Sequence, residues 1–250
     1  MAVSSRAAVF LNGFYDTRRP DFYAAAFGRG DVFAVCADGG LFVYSWINGL
    51  LSASFAPDLV VGDSDSLDTS ERRAWESRGV RFATVVDERA AKEDYTDGQL
   101  ALYAALGAGH AQLDIYGALP TSGCYDHDHF LGNLLLLVEA YAIAGERPAF
   151  SARISDPYQA ISLCRQGLTL TRQDEGRNRV SLLPWGGPAL VRHSEGLRWA
   201  LRDFALATTR ANAVRNEFLP DAQDVRIELY EGSAPVLVVQ NWGPGDAASR

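Results

Sequence analysis

The run Asp58-Leu59-Val60-Val61-Gly62-Asp63-Ser64-Asp65-Ser66-Leu67-Asp68 joins a short apolar stretch to a crowd of like charges, Asp63, Asp65 and Asp68. Carboxylates placed this closely repel one another unless a cation sits between them. A second acidic group follows at Glu93, Asp94 and Asp97, with Thr96 among them. Mg2+ takes oxygen ligands and is commonly held by one or two carboxylates together with substrate phosphates. The residue types and spacing therefore point to a metal–phosphate site. Each acid also has a purely structural reading. Asp and Ser after a strand form Asx-turns and helix N-caps. Asp65 or Asp68 can cap the helix that follows, and Asp94 with Asp97 can form a capping pair. Turn chemistry does not require Asp63, Asp65, Asp94 and Asp97 together, so their joint occurrence favours the cation.

Such groups need elements that deliver them to one place. Hydrophobic periodicity predicts strands over Ala7–Leu11, Val32–Cys36, Asp58–Val61, Arg81–Val86 and Gln112–Tyr116. Helices are expected over Asp21–Phe27, near Leu41–Leu50, near Thr69–Ser77, from Thr96 to Leu106 and near Asp128–Ala144. Regular strand–helix alternation is the pattern of a mostly parallel α/β sheet flanked by helices. From Phe150 onward the pattern changes to short runs such as ARIS, QAISLC, LTLTR, RVSLLP, PALVRH, VRIELY and PVLVVQ, punctuated by Gly and Pro. This second region reads as an antiparallel β-sandwich. The expected division is an α/β domain over residues 1–147 and a β-sandwich over 148–250.

Open parallel sheets bind ligands outside the carboxyl ends of their strands. There the sequence places Asn12-Gly13, Asp38-Gly39-Gly40, Gly62 to Ser66, Lys92 to Asp97, and Asp126-His127-Asp128-His129. Gly39, Gly40 and Gly62 would permit close backbone approach to a nucleotide. No Walker A sequence and no strand-linked GxGxxG occurs, so the site is neither a P-loop nor a dinucleotide fingerprint. No GxSxG elbow supports Ser-His-Asp hydrolysis. His127 and His129 have no Cys partner at zinc spacing, which favours a polar loop over a zinc or iron site.

The 250 residues carry 23 Lys and Arg against 31 Asp and Glu, a net charge of −8. That balance argues against nonspecific nucleic-acid or anionic-membrane binding, which need a basic footprint. Cys36, Cys124 and Cys164 are widely separated without a CxxC, and two of them lie in apolar runs, which predicts buried free thiols. The N-terminal stretch lacks the long apolar core of a signal peptide, and the apolar FLGNLLLLVEAYAIAG is broken by Asn133 and Glu139. A cytoplasmic protein is expected. Ordinary burial preference assigns Trp185 and Trp199 to the core, although either can serve as an aromatic ligand platform.

The blocks ADGG (Ala37–Gly40), PDLVVGDSDSLD (Pro57–Asp68), EDYTDGQLAL (Glu93–Leu102) and DHFLGNLLLL (Asp128–Leu137) resemble those of the thiamine pyrophosphokinase (thiamine diphosphokinase) family. VSLLPW, SEGLRWAL and RNEF resemble the family's C-terminal blocks, so the likeness runs in order along nearly the whole chain. It implies an α/β domain followed by a β-sandwich, a homodimer with thiamine in a cleft built by both subunits, and Mg2+-dependent transfer of diphosphate from ATP to the thiamine hydroxyl. It implies Asp63, Asp65 and Asp97 as metal and catalytic residues, and Asp128 near the reacting centre. Asp38, Gly39, Gly40, Asp94, Thr96 and Asn133 would line the ATP cleft, and Asn216 and Glu217 the thiamine side.

Three positions depart from the family pattern. Asp126 stands where the family has Arg, in a longer loop from Gly117 to His127. An Arg there would neutralise phosphate charge, whereas an Asp requires a metal or another basic residue to compensate. Glu93 replaces a Lys, with Lys92 adjacent, and Arg215 replaces a Ser. Alternative readings are a pyrophosphokinase for another acceptor such as a hydroxymethylpterin, and a degenerate relative that binds nucleotide or thiamine without turnover. A DxD glycosyltransferase would leave the second domain unexplained.

Overall fold

The computed structural model describes residues 6–27, 31–62, 69–83, 95–120, 127–145, 147, 149–173 and 177–243. The chain divides into two units, Met1–Asp156 and Pro157–Arg250.

In the first unit, strands and helices alternate: β1 (Arg6–Phe10), α1 (Pro20–Phe27), β2 (Val32–Ala37), α2 (Phe42–Leu51), β3 (Leu59–Val61), α3 (Thr69–Ser77), β4 (Arg81–Ala83), α4 (Asp97–Gly107), β5 (Gln112–Tyr116), α5 (His127–Ala144) and β6 (Ser151–Asp156). A 3-10 turn, Asp38–Leu41, leads from β2 into α2. The strands run parallel in the order β6-β5-β1-β2-β3-β4. The chain winds outward from β1 to β4, then returns to the other side of β1 with β5, so the winding reverses between β1 and β5. Both faces of such a sheet are covered, which is why its strands read as nearly continuous apolar runs. Val9, Phe10, Val35, Cys36 and Ile115 have no exposed surface.

One face is filled by aromatic side chains from β1, β5, α1 and α2. Phe10 stacks on Tyr116 at 5.0 Å between ring centres, and Phe27 on Tyr44 at 3.9 Å. Helix α4 packs against β1, β2 and β3 and against α5, burying Ala101, Leu102, Ala105 and Leu106. Strand β6, which the sequence pattern grouped with the sandwich, runs parallel to β5 and completes the first unit. The two compact units divide after Asp156; an alternating run such as SARISD does not reveal whether its partner is parallel. Asp114 on β5 joins this part of the sheet ionically. It accepts from Arg6 at 2.8 Å and from Arg153, drawing β1 and β6 onto β5.

The second unit is all β: β7 (Gln159–Cys164), β8 (Gly167–Thr171), β9 (Arg179–Pro184), β10 (Ala189–Glu195), β11 (Arg202–Leu206), β12 (Asn216–Glu217), β13 (Asp224–Leu229) and β14 (Val236–Asn241). Antiparallel neighbours form the series β12-β9-β14-β7 and β11-β10-β13-β8. Alternation is strict in β13, where Val225, Ile227 and Leu229 are buried between exposed Asp224, Arg226 and Glu228. These join Val180, Leu182, Val191, Leu206, Val236 and Val238 in one apolar core. Buried Asn178 bonds Gln173 in both directions and accepts from Gln240 at 3.0 Å.

Cys36 and Cys164 are free and buried, as the apolar runs predict. Burial raises both thiols, Cys164 to about 12, which suppresses the reactive thiolate. No helix among the described residues is long and apolar enough to cross a membrane.

Candidate functional site

The carboxyl ends of the parallel strands are tied together by loops that touch through glycines. A Cβ built on Gly13, after β1, would lie 1.8 Å from the carbonyl oxygen of Gly117, after β5. One on Gly40 would lie 2.1 Å from the Phe10 carbonyl oxygen, and one on Gly39 2.7 Å from the Asn12 side chain. Gly62, after β3, abuts Asp38, with a built Cβ 2.9 Å from the Asp38 Cβ. The sequence assigned Gly39, Gly40 and Gly62 to close approach by a nucleotide. In the structure their missing side chains let the edge loops close on one another. Asp38 is buried and takes a left-handed backbone, with φ of 40°. Such a conformation is uncommon outside glycine and marks a position held by its surroundings.

The start of α4 reaches the same edge. A Cβ on Gly98 would lie 3.3 Å from a methyl of Leu11, the residue following β1. Thr96 caps the helix: its hydroxyl accepts from the Gln99 N–H at 3.2 Å, while the Gln99 side-chain oxygen accepts from the Thr96 N–H at 3.0 Å. Thr96 is thus the N-cap, and Asp97 stands half-buried at the first helical position. The positive end of the α4 dipole and Asp97 are thus set at one edge, an arrangement suited to polyphosphate carrying a cation.

Asp63, Asp65, Asp94 and Asp126 lie outside the described residues, as do Lys92 and Glu93. Among the described residues no group of three or more His, Cys, Asp or Glu side chains gathers to hold a metal. The donor set named from sequence, Asp63, Asp65 and Asp97, is all carboxylate and suits a hard cation such as Mg2+. Asp128 occupies the exposed first turn of α5. Asn133, one of the polar breaks in that helix, donates to the Ala118 carbonyl at 3.2 Å and so anchors the loop leaving β5. Sequence reasoning missed Gln99, Tyr103 and Glu139, which link α4 to α5. The TxxQ pattern of Thr96–Gln99 was the available signal for the first of them.

In the second unit, Asn216 is buried and clamps the backbone of Trp199. Its side-chain oxygen accepts from the Trp199 N–H at 3.2 Å and its amide donates to the Trp199 carbonyl at 2.7 Å. Glu217 pairs with Arg198 at 3.0 Å and Arg177 at 3.6 Å. Trp199 itself is 55% exposed, with the Arg198 guanidinium 5.0 Å from its ring centre. The core assignment for Trp199 is therefore corrected: the chain bends at Arg198 and Trp199, and the alternation that would bury the ring is lost. Trp185 is half-buried. Arg215 has a left-handed backbone, φ 59°, and its N–H donates to the Ser181 hydroxyl at 2.9 Å.

These features define a class: a doubly wound α/β unit with a polar carboxyl edge, followed by an antiparallel β-sandwich. Residues 29–145 match the family model described as thiamin pyrophosphokinase, catalytic domain. Over these residues the chain is similar to that catalytic domain. The fold agrees with solved structures over nearly the whole chain. A thiamine pyrophosphokinase from Bacillus subtilis superposes with a TM-score of 0.72 at 17% identity, over 94% of this chain and 98% of that one. Yeast thiamin pyrophosphokinase gives 0.68 at 17%, over 95% and 86%, and a family protein from Enterococcus faecalis 0.61 at 23%, over 95% and 99%. No curated protein matches by sequence.

Proposed function

We propose that the chain is a thiamine diphosphokinase that transfers diphosphate from ATP to the hydroxyl of thiamine, releasing AMP. One observation carries this reading: the segment that matches the catalytic domain, 29–145, is the stretch whose loops bring Asp38, Gly62 and the start of α4 to the sheet edge. In the reaction the thiamine hydroxyl oxygen bonds to the β-phosphorus of ATP. The bond from that phosphorus to the α–β bridging oxygen breaks, and the hydroxyl proton passes to a base. Asp63, Asp65 and Asp97 would hold Mg2+, which supplies neutralisation of phosphate charge. The α4 N-terminus orients the anion through its backbone N–H groups. Asp38, Gly39, Gly40, Asp94, Thr96 and Asn133 surround ATP either directly or by setting the loops that do. Asp128 stands near the reacting atoms. Positioning and charge stabilisation account for most of the rate in such transfers.

Trp199 provides an exposed aromatic face for the cationic thiazolium of thiamine, a cation–π contact. Asn216 and Glu217 hold that face through the Trp199 backbone and Arg198. The active form is a homodimer in which both subunits build the thiamine cleft. Incubation with Mg·ATP and thiamine, followed by separation of nucleotides, tests the reading. AMP together with thiamine diphosphate is expected. ADP would mean γ-phosphate transfer and the wrong mechanism. Absence of product with ATP or thiamine still bound would favour a different acceptor or a binding-only relative.

A further inference from the structure

Helix α5 is apolar along Leu134–Ala144 except for Glu139, a half-buried carboxylate beside buried Leu136, Leu137 and Ala140. Placing an acid there is unfavourable unless its oxygens are satisfied. Two side chains of α4 satisfy them. The Gln99 amide donates to Glu139 at 3.1 Å and, more distantly, 3.5 Å, and the Tyr103 hydroxyl donates to the same carboxylate. Gln99 is also the residue that closes the cap on Thr96. A glutamine side chain carries one acceptor and one donor group. Here the acceptor serves the Thr96 N–H and the donor serves Glu139, so the carboxylate dictates which way the amide turns. A glutamate at position 99 could not donate to Glu139 and would face it with a like charge, which turns the side chain away from the cap.

We propose that Glu139 is a positioning residue: through Gln99 it fixes the cap and first turn of α4, and with them Asp97 at the sheet edge. The consequence for turnover rests on the reading that this turn faces the ATP phosphates. Tyr103 is the internal control. Its hydroxyl bonds Glu139 and not the cap, and Tyr103→Phe keeps its edge-on ring contact with Tyr95, so a role confined to joining α4 and α5 would depend on the Tyr103 hydroxyl as much as on Gln99.

The test uses the full-length chain. Amide hydrogen exchange of the ligand-free protein reads the cap directly at Thr96 and Gln99. Exchange there should be about fivefold faster in Glu139→Leu and Gln99→Glu, the scale of one lost hydrogen bond. It should stay at the parental rate in the isosteric Glu139→Gln, whose amide oxygen can still accept from Gln99, and in Tyr103→Phe. Calorimetric titration with Mg·ATP and the KM for Mg·ATP should weaken by about five- to tenfold in the first two variants only, with the KM for thiamine unchanged. Unchanged exchange in Glu139→Leu overturns the relay. So does equal loosening of the cap in Tyr103→Phe. Faster exchange with unaltered Mg·ATP affinity overturns the link from cap to site. A parent chain that fails to bind Mg·ATP refutes the functional reading instead, and the exchange data then decide the relay by themselves.

Discussion

Replacing Gly40 by Ala should destabilise the first unit, and replacing Gly132 by Ala should stabilise it, although both changes add a single methyl. The methyl on Gly40 would meet the Phe10 carbonyl oxygen at 2.1 Å, more than an ångström inside van der Waals contact. The obstructing atom belongs to the fully buried end of the central strand β1 and cannot swing away as a side-chain tip would. Overpacking of this kind costs about 3 kcal/mol, the upper part of its usual range. For a chain of this size that corresponds to a melting temperature lower by roughly 6–12 °C. Gly132 lies exposed within α5, and a Cβ there meets nothing within 4 Å. Removing a helical glycine gains about 0.5–1 kcal/mol, or roughly 2 °C. Thermal scans and urea titrations followed by circular dichroism measure both. A Gly40→Ala chain melting within about 1 °C of the parent would refute the conclusion that the loops after β1 and β2 are in contact.

Asp114→Ala should cost about 2–4 kcal/mol by removing the carboxylate that Arg6 and Arg153 share, less than a fully buried pair because both guanidinium groups keep some water; urea denaturation reads this. Tyr103 is raised to about 12, first by burial and then by its bond to Glu139. Its stabilising contribution is therefore complete below the unfolded tyrosine value near 10 and is lost as pH rises towards 12. Urea midpoints should accordingly fall less over that interval in Tyr103→Phe than in the parent. Trp199→Ala should leave the melting temperature within about 1 °C, since the ring is mostly exposed. The same change should raise the KM for thiamine about tenfold, the value of a well-desolvated cation–π contact.

Most of the first unit was legible because strands buried on both faces are apolar runs and their helices keep a distinct period. Leu59–Val61 and Gln112–Tyr116 emerge within a residue or so of where the pattern puts them. Allegiance was less legible: Ser151–Asp156 alternates as a sandwich strand would, yet pairs in parallel with β5. Strand β12 is two residues long and β11 follows a bend, so neither leaves a periodic trace. At the sheet edge, residue types alone do not disclose which neighbours pack together. Nothing in ADGG indicates that Gly40 accommodates Phe10, because that contact joins residues thirty apart. Glu139 reads in sequence only as an interruption of an apolar helix. Its task becomes visible when α4 is laid beside it.

The loop leaving β5 is held at its root twice, by Gly13 against Gly117 and by Asn133 on the Ala118 carbonyl, and it ends where α5 begins at His127. A residue inserted between Tyr116 and Ala118 would disturb both. Ala118 and Leu119 are themselves buried, so the first residues beyond β5 belong to the core and hold the sheet edge rather than tethering a loose segment.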